Sequence, residues 1–266
     1  ASTASYTLLL VDPREDPDYE LQAVRALRER RVDGIIVAPA ADPHRRSLAY
    51  LAANSVPTVL VDRLASAEFD QVGPENEEPT ATLTRHLAEL GHRRVGMVAG
   101  LPGLSTTDER LSGYRLGLTR SDLPYDETLV VDGGSQVEPA REAVHRLLTL
   151  PEPPTALVIS NNLMTIGTLR ALREAGRRVP DDMALTAFDD FEWADLLTPR
   201  LTTMAQPRFD LGTTAVRLLM DRLADPHRPP RTVRLAPQFM HRESCGCAPA
   251  GSASSTPLAA VLRGVD

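Results

Sequence analysis

Residues 155–190 read TALVISNNLMTIGTLRALREAGRRVPDDMALTAFDD. TALVIS from Thr155 and MALTA from Met183 are short apolar runs without polar alternation, as expected of strands buried on both faces. Between them LMTIGTLRAL follows an asparagine, Asn161, whose side-chain oxygen can cap a helix. Strand, helix and strand in this order make the crossover unit of a parallel sheet. The alternation continues outward. YTLLLV from Tyr6, GIIVA from Gly34, PTVLV from Pro57 and RVGMVA from Arg94 read as further buried strands. Leu21, Val24 and Leu27 recur three apart, and Leu211, Ala215, Leu218 and Leu219 with Arg222 fall at i, i+4, i+7, i+8 and i+11, so both stretches are helices with one buried stripe. A chain built this way is an α/β protein of doubly wound architecture, and its ligands bind outside the carboxyl ends of the strands. The loops to inspect are therefore Asp62-Arg63, Gly100 to Arg110, Ser160-Asn161-Asn162 and Phe188-Asp189-Asp190.

The bulk composition narrows the class. With 266 residues, 42% of them hydrophobic, the chain can form one large domain or two smaller ones without disulfide staples. The net charge of −7 makes it a poor direct binder of phosphate backbones, so any action on DNA needs a separate basic module. No apolar run approaches the roughly 20 residues of a membrane span, and the opening ASTAS lacks the basic start and apolar stretch of a secretory signal, which suggests a cytoplasmic protein. Cys245 and Cys247 are one residue apart, too close for an unstrained bridge and too few for a disulfide scaffold or a four-ligand zinc site, and read as an incidental pair in a reduced compartment, with no metal and no cofactor implied. The segment from Ala248 to Asp266 is small and Pro-containing at first, with a possible helical stub in PLAAVLRGVD, and is expected to be a flexible tail.

The chemistry available at the strand ends suits binding better than catalysis. The chain has no GxSxG elbow, no HExxH, no P-loop and no dinucleotide fingerprint, and no nucleophile-base pair can be assembled. Asp189 and Asp190 are adjacent on an extended segment and point to opposite faces, which weakens a paired-carboxylate mechanism. One carboxylate in a cleft, with Arg110 and Asn161 or Asn162 converging on it, suits a polyol or sugar: Asp accepts from hydroxyls, Arg donates a planar fork and Asn does both. Taken singly, Arg110 could be a helix-surface residue, Asn161 only a cap and Asp62 only a turn residue. Trp193, four residues beyond Asp189, is either packing or an apolar platform for the C–H face of a sugar ring.

RRVDGIIVAPA, VPTVLVDR, LAELGHRRVGMVAG, ERLSGYRLGL and ALVISNNLMTIGTLRALREAGRRVPDDMALTAFDDFEWADLLTPRLTTMAQPRFDLG, in this order and spacing, resemble the effector domain of LacI-family transcription regulators over residues 6 to 245. The resemblance implies a periplasmic-binding-protein-like fold: two doubly wound α/β subdomains joined by three crossing strands, with an effector in the cleft. It assigns ligand contacts to Asp62 with Arg63 beside it, Arg110, Asn161, Asp189 and the hinge Gln206. Asn162 stands where the family commonly has Asp. The expected division is residues 1–73 with 206–235 in one subdomain and 74–205 with 236–247 in the other, crossing near Gly73 to Glu75, Met204 to Pro207 and Leu235 to Gln238. The chain opens at what reads as the family's second strand, so the helix-turn-helix head that would bind operator DNA and the first strand-helix unit are expected to lie outside it. The resemblance implies a homodimer, with surfaces on the helix Asp18 to Arg31 and on Phe191 to Leu197, that binds a small polar effector and is not an enzyme. The alternative on the same fold is an extracytoplasmic sugar-binding protein of a transporter.

Overall fold

Buried, non-alternating strands need a neighbour on each side, and the computed structural model, which describes residues 6–247, gives most of them one. Strands β1 (Ile35–Val37), β2 (Thr58–Val61), β3 (Asp70–Pro74) and β9 (Thr232–Leu235) form a four-stranded parallel sheet in the order β1-β2-β3-β9. Strands β4 (Val95–Ala99), β5 (Val130–Asp132), β6 (Ala156–Ile159), β7 (Ala184–Phe188), β8 (Thr202–Ala205) and β10 (Gln238–Met240) form a six-stranded sheet in the order β10-β8-β7-β6-β4-β5. Only β10 runs antiparallel to its neighbour. The chain passes from the first sheet to the second after β3, returns after β8 and passes again between β9 and β10.

The helices cover both faces of these sheets. Helices α3 (Glu77–Glu89) and α4 (Ser105–Arg120) pack on one face of the larger sheet, where Leu83, Leu87, Tyr114 and Leu118 meet Val95, Met97, Ala156 and Val158. Helices α5 (Val137–Leu148) and α6 (Asn162–Glu174) cover the other face, where Val144, Leu147 and Leu172 meet Val98, Leu157 and Ile159. Successive residues of β6 therefore serve opposite cores, which is why its sequence shows no polar alternation. On the smaller sheet, α1 (Pro17–Glu29) and α2 (Arg46–Ala53) share one core with Ile35 and Leu60. Helix α7 (Arg208–Ala224) places Leu211, Ala215, Leu218 and Leu219 against Val59 and Val72, the stripe its spacing predicts. The fifth member of that stripe, Arg222, reaches Asp70 instead: the buried carboxylate accepts from Arg222 Nε at 2.9 Å, Arg228 Nη2 at 2.8 Å and the Arg231 amide at 2.9 Å.

One strand expectation fails. Tyr6 to Val11 forms no strand, and Leu8 and Leu10 are 77% and 88% exposed. An apolar run becomes a strand only when another strand offers it a hydrogen-bonding ladder. Among the described residues, the smaller sheet has two edge strands, β1 and β9, and residues 6–11 pair with neither. The tail expected over 248–266 falls outside the described residues. No described helix is long and apolar enough to cross a membrane.

Candidate functional site

Two aspartates lie just beyond parallel strands of the two different sheets. Asp62 follows β2, and its amide donates to Val72 O at 2.9 Å; Asp189 follows β7, and its amide donates to Met204 O at 3.0 Å. Both sit at left-handed backbone angles, φ 68° and 75°. Aspartate tolerates this region better than most residues, yet it still costs of order 1 kcal/mol, and such a cost is commonly met at binding loops. The turn directs each carboxylate off its strand end into a shared cavity of about 340 Å³. Gln206, at the return passage after β8, closes the same cavity and donates from Nε2 to Asp189 Oδ1 at 2.5 Å.

The two carboxylates differ in what holds them. Asp62 has no hydrogen-bond partner on its carboxylate among the described residues, and Arg63 Nε is 3.9 Å away. Burial pushes its carboxyl above the ordinary aspartate range and the Asp189 charge adds to this, while Arg110 and Arg63 pull the other way. Asp190 also lines the cavity, but its carboxylate is gripped bidentately by Arg242 at 2.7 and 2.9 Å and accepts from Thr203 Oγ1 at 2.8 Å. Burial raises the Asp190 carboxyl, and these hydrogen bonds outweigh it and hold the group below the ordinary range. Asp62 and one oxygen of Asp189 are thus the acceptors left for a ligand, and Asn162 and Arg208 add donors to the same wall.

Arg110, on α4, is 6% exposed and lies 3.7 Å over the Phe188 ring. Its Nε donates to Asn76 Oδ1 at 2.9 Å and its Nη1 to the Ser160 carbonyl. Neither aspartate hydrogen-bonds to it; Asp189 and Asp62 reach it through their charge alone. Burial lowers its affinity for the proton, and these two carboxylates oppose that, so the guanidinium stays charged. Asn76 in turn donates to Glu109 Oε2 at 2.7 Å, and Glu109 is held bidentately by Arg234 of β9 at 2.7 and 2.5 Å. Burial raises the Glu109 carboxyl, but the Arg234 and Asn76 hydrogen bonds outweigh it and keep the group below the usual range. A polar chain therefore runs from β9 of the smaller sheet through Glu109 to Arg110 beneath the larger sheet's strand ends.

The remaining residues singled out by sequence fall elsewhere. Arg63 is clamped by Glu15 at 2.7 and 2.6 Å and faces a neighbouring cavity of about 150 Å³ with Asp42, Ser105 and Asp108. Asn161 spends its side-chain oxygen on the Met164 amide at 2.8 Å, capping α6, and Asn162 lines the larger cavity in its place. Trp193 packs against Phe191 with the rings tilted by 38° and their centroids 3.9 Å apart, and lines neither cavity. Asn162 is the alternative the sequence offers to Asn161, and Asp190 and Phe188 lie in a loop it marks for inspection, whereas Arg208 and Asn76 are not among its candidates. Arg208 carries a signal, since it lies two residues beyond Gln206 at the start of α7; Asn76 carries none.

Comparison with known proteins places this geometry among regulators. The family model described as a periplasmic binding protein-like domain matches residues 84–245. The HTH-type transcriptional repressor PurR of Aliivibrio salmonicida is 31% identical over 241 residues, covering 90% of this chain and 72% of that protein. The solved structure of the transcriptional regulator CelR in complex with cellobiose superposes with a TM-score of 0.83 at 30% identity, covering 91% of this chain and 75% of that one. A LacI family transcriptional regulator from Mycobacterium smegmatis superposes with a TM-score of 0.82 at 27% identity, covering 91% and 89%.

Proposed function

The chain belongs to the LacI/PurR family of transcriptional regulators and carries the family's periplasmic-binding-protein-like effector domain, and we propose that its effector is a sugar or sugar derivative held between the two sheets. The observation that carries this reading is the pair Asp62 and Asp189, each turned off a strand end of a different sheet into one cavity, with Gln206 bonded to the second. Free carboxylate oxygens flanked by amide and guanidinium donors complement vicinal hydroxyls. The relative solved with cellobiose supports the same ligand class.

The two sheets act as lobes that a ligand draws together. Residues up to about 73 with 206–235 form one, and 74–205 with 236–247 the other. Asp62 lies on the first, Asp189 on the second, and Gln206 at the passage between them. A ligand that binds the closed arrangement more tightly shifts the population toward it. In the whole regulator, that shift governs how a helix-turn-helix module of the kind named in the PurR relative engages an operator in the cytoplasm. The protein works as a homodimer, since paired heads read paired half-sites. Helix α1 and the loop 191–197, where Leu196 is 79% exposed, are the surfaces proposed for pairing.

A thermal-shift screen with pentoses, hexoses, disaccharides and sugar acids, run beside amino acids and nucleobases, tests the ligand class. A sugar should raise the melting temperature with dose. Stabilisation only by the non-sugar compounds would reject the sugar reading while leaving the cleft in place.

A further inference from the structure

His86, His241, Cys245 and Cys247 come together at the foot of the larger sheet, with one potential ligand atom from each lying within 4.8 Å of all the others. In sequence the two cysteines are too few for a four-ligand zinc site; the fold supplies two imidazoles from distant positions. His86 lies in the last turn of α3 and His241 directly follows β10. The His86 Nε2 is 3.8 Å from Cys247 Sγ, and the two imidazole rings stand edge to face at 5.2 Å.

The cysteines are held for this arrangement before any ion arrives. Ser244 is tied to the sheet on both sides: its carbonyl accepts from the Leu185 amide at 2.7 Å, while its hydroxyl donates to Leu185 O and accepts from the Thr202 amide, each at 2.8 Å. This fixes the buried Cys245 sulfur, to which Thr202 Oγ1 donates at 3.3 Å. Gly246, at φ 90°, turns the chain with its amide on Glu243 O at 2.9 Å and brings Cys247 back to the same group. A side chain at that backbone angle would be strained, so glycine is what permits two sulfurs one residue apart to converge.

We propose that these four residues form a Cys2His2 site for zinc that fastens the segment after β10 to the end of α3. Two thiolates and two imidazoles are the donor set tetrahedral zinc prefers. Bonds of about 2.3 Å to sulfur and 2.0–2.1 Å to nitrogen put ligand atoms roughly 3.4–3.8 Å apart, so atoms now within 4.8 Å of one another need to close by at most about 1.4 Å. Binding exchanges the two thiol protons for the ion. Cys247 and His86 are half-buried and His241 is exposed, which leaves a path for the metal. The end of α3 leads into the amino end of β4, the opposite end of the sheet from Asp189, so the ion stabilises the fold without touching the effector.

The test is cobalt titration of the tag-free, reduced and chelator-treated chain. One equivalent per chain should give a thiolate-to-cobalt charge-transfer band and intense tetrahedral d–d bands, which zinc then abolishes. Zinc at a hundredfold excess over its dissociation constant should raise the melting temperature by roughly 5–10 °C. Cys247→Ser and His241→Gln alter accessible ligands; with far-UV circular dichroism unchanged, each should lose the bands and most of the zinc-dependent shift. Wild-type chain that binds cobalt only weakly and octahedrally, or variants that keep the full spectrum at one equivalent, would overturn the assignment.

Discussion

Replacing Glu109 by Gln removes the charge from the polar strut that joins the two sheets while keeping its shape and one acceptor oxygen. In the native chain, Arg234 of β9 grips this carboxylate with both Nη atoms at 2.7 and 2.5 Å, and Asn76 adds a third bond at 2.7 Å. A hydrogen bond to a charged group contributes about 1.5–3 kcal/mol. Both side chains keep some water contact, 30% and 26% exposed, so screening places the expected loss near the lower end, about 1.5 kcal/mol at neutral pH. With a urea slope of about 2–3 kcal/mol/M, the midpoint should fall by roughly 0.5–0.8 M. The Glu109 carboxyl is held below its ordinary range, so folding keeps it ionised where the unfolded chain would take up a proton. Its stabilisation is complete above the ordinary glutamate value of about 4.3 and is lost as pH falls through the folded value. Urea melts of wild type, Glu109→Gln, Arg234→Met and the double variant across this range measure both the gap and the coupling. A gap that does not narrow in acid, or a coupling of zero in the double-mutant cycle, would refute the reasoning.

Three further outcomes follow from the geometry. Gly113→Ala should destabilise by about 1–3 kcal/mol or more, because its Cβ would lie 2.2 Å from Glu77 O and α4 must move off α3; a thermal melt identical to wild type would remove the close crossing. Asp70→Asn should cost about 3–5 kcal/mol in urea unfolding, since Arg222 and Arg228 lose their only carboxylate among the described residues. Asp62→Asn should stabilise the ligand-free chain at neutral pH: the folded carboxyl is raised by burial and by Asp189, so its ionised form opposes folding as pH rises through the raised value. The gain should vanish below the ordinary aspartate range, and a gain that persists there would point to a cause other than charge.

The parts of the fold visible in sequence were those whose pattern is set locally. β6, α6 and β7 were legible because an apolar run, a capping asparagine and a second apolar run each carry their own signal, and α7 because its stripe keeps helical spacing to Leu219. YTLLLV misled for the converse reason: strand character depends on a partner, which a run of leucines does not reveal. β3 and β5 do not stand out because DQVGP holds a single aliphatic side chain and VVD ends on a charge. At the site, strand-end position singles out Asp62 and Asp189 and the family resemblance adds Gln206, all three lining one cavity, but neither signal apportions hydrogen bonds. Asn161 turned to its own helix, and Arg110 took Asn76 and a carbonyl rather than an aspartate. The convergence of His86 with Cys245 and Cys247 was invisible, because it joins residues about 160 positions apart through the sheet.

The central claim is that a ligand occupies the cavity between Asp62 and Asp189. Calorimetric titration of the best sugar from the screen into wild type and Asp189→Ala measures this. The variant removes a charge-assisted acceptor and frees Gln206, for a loss of about 1.5–3 kcal/mol, or roughly a ten- to hundredfold weaker affinity, with the ligand-free unfolding midpoint little changed. An affinity equal to that of wild type would contradict the account and move the effector out of this cleft.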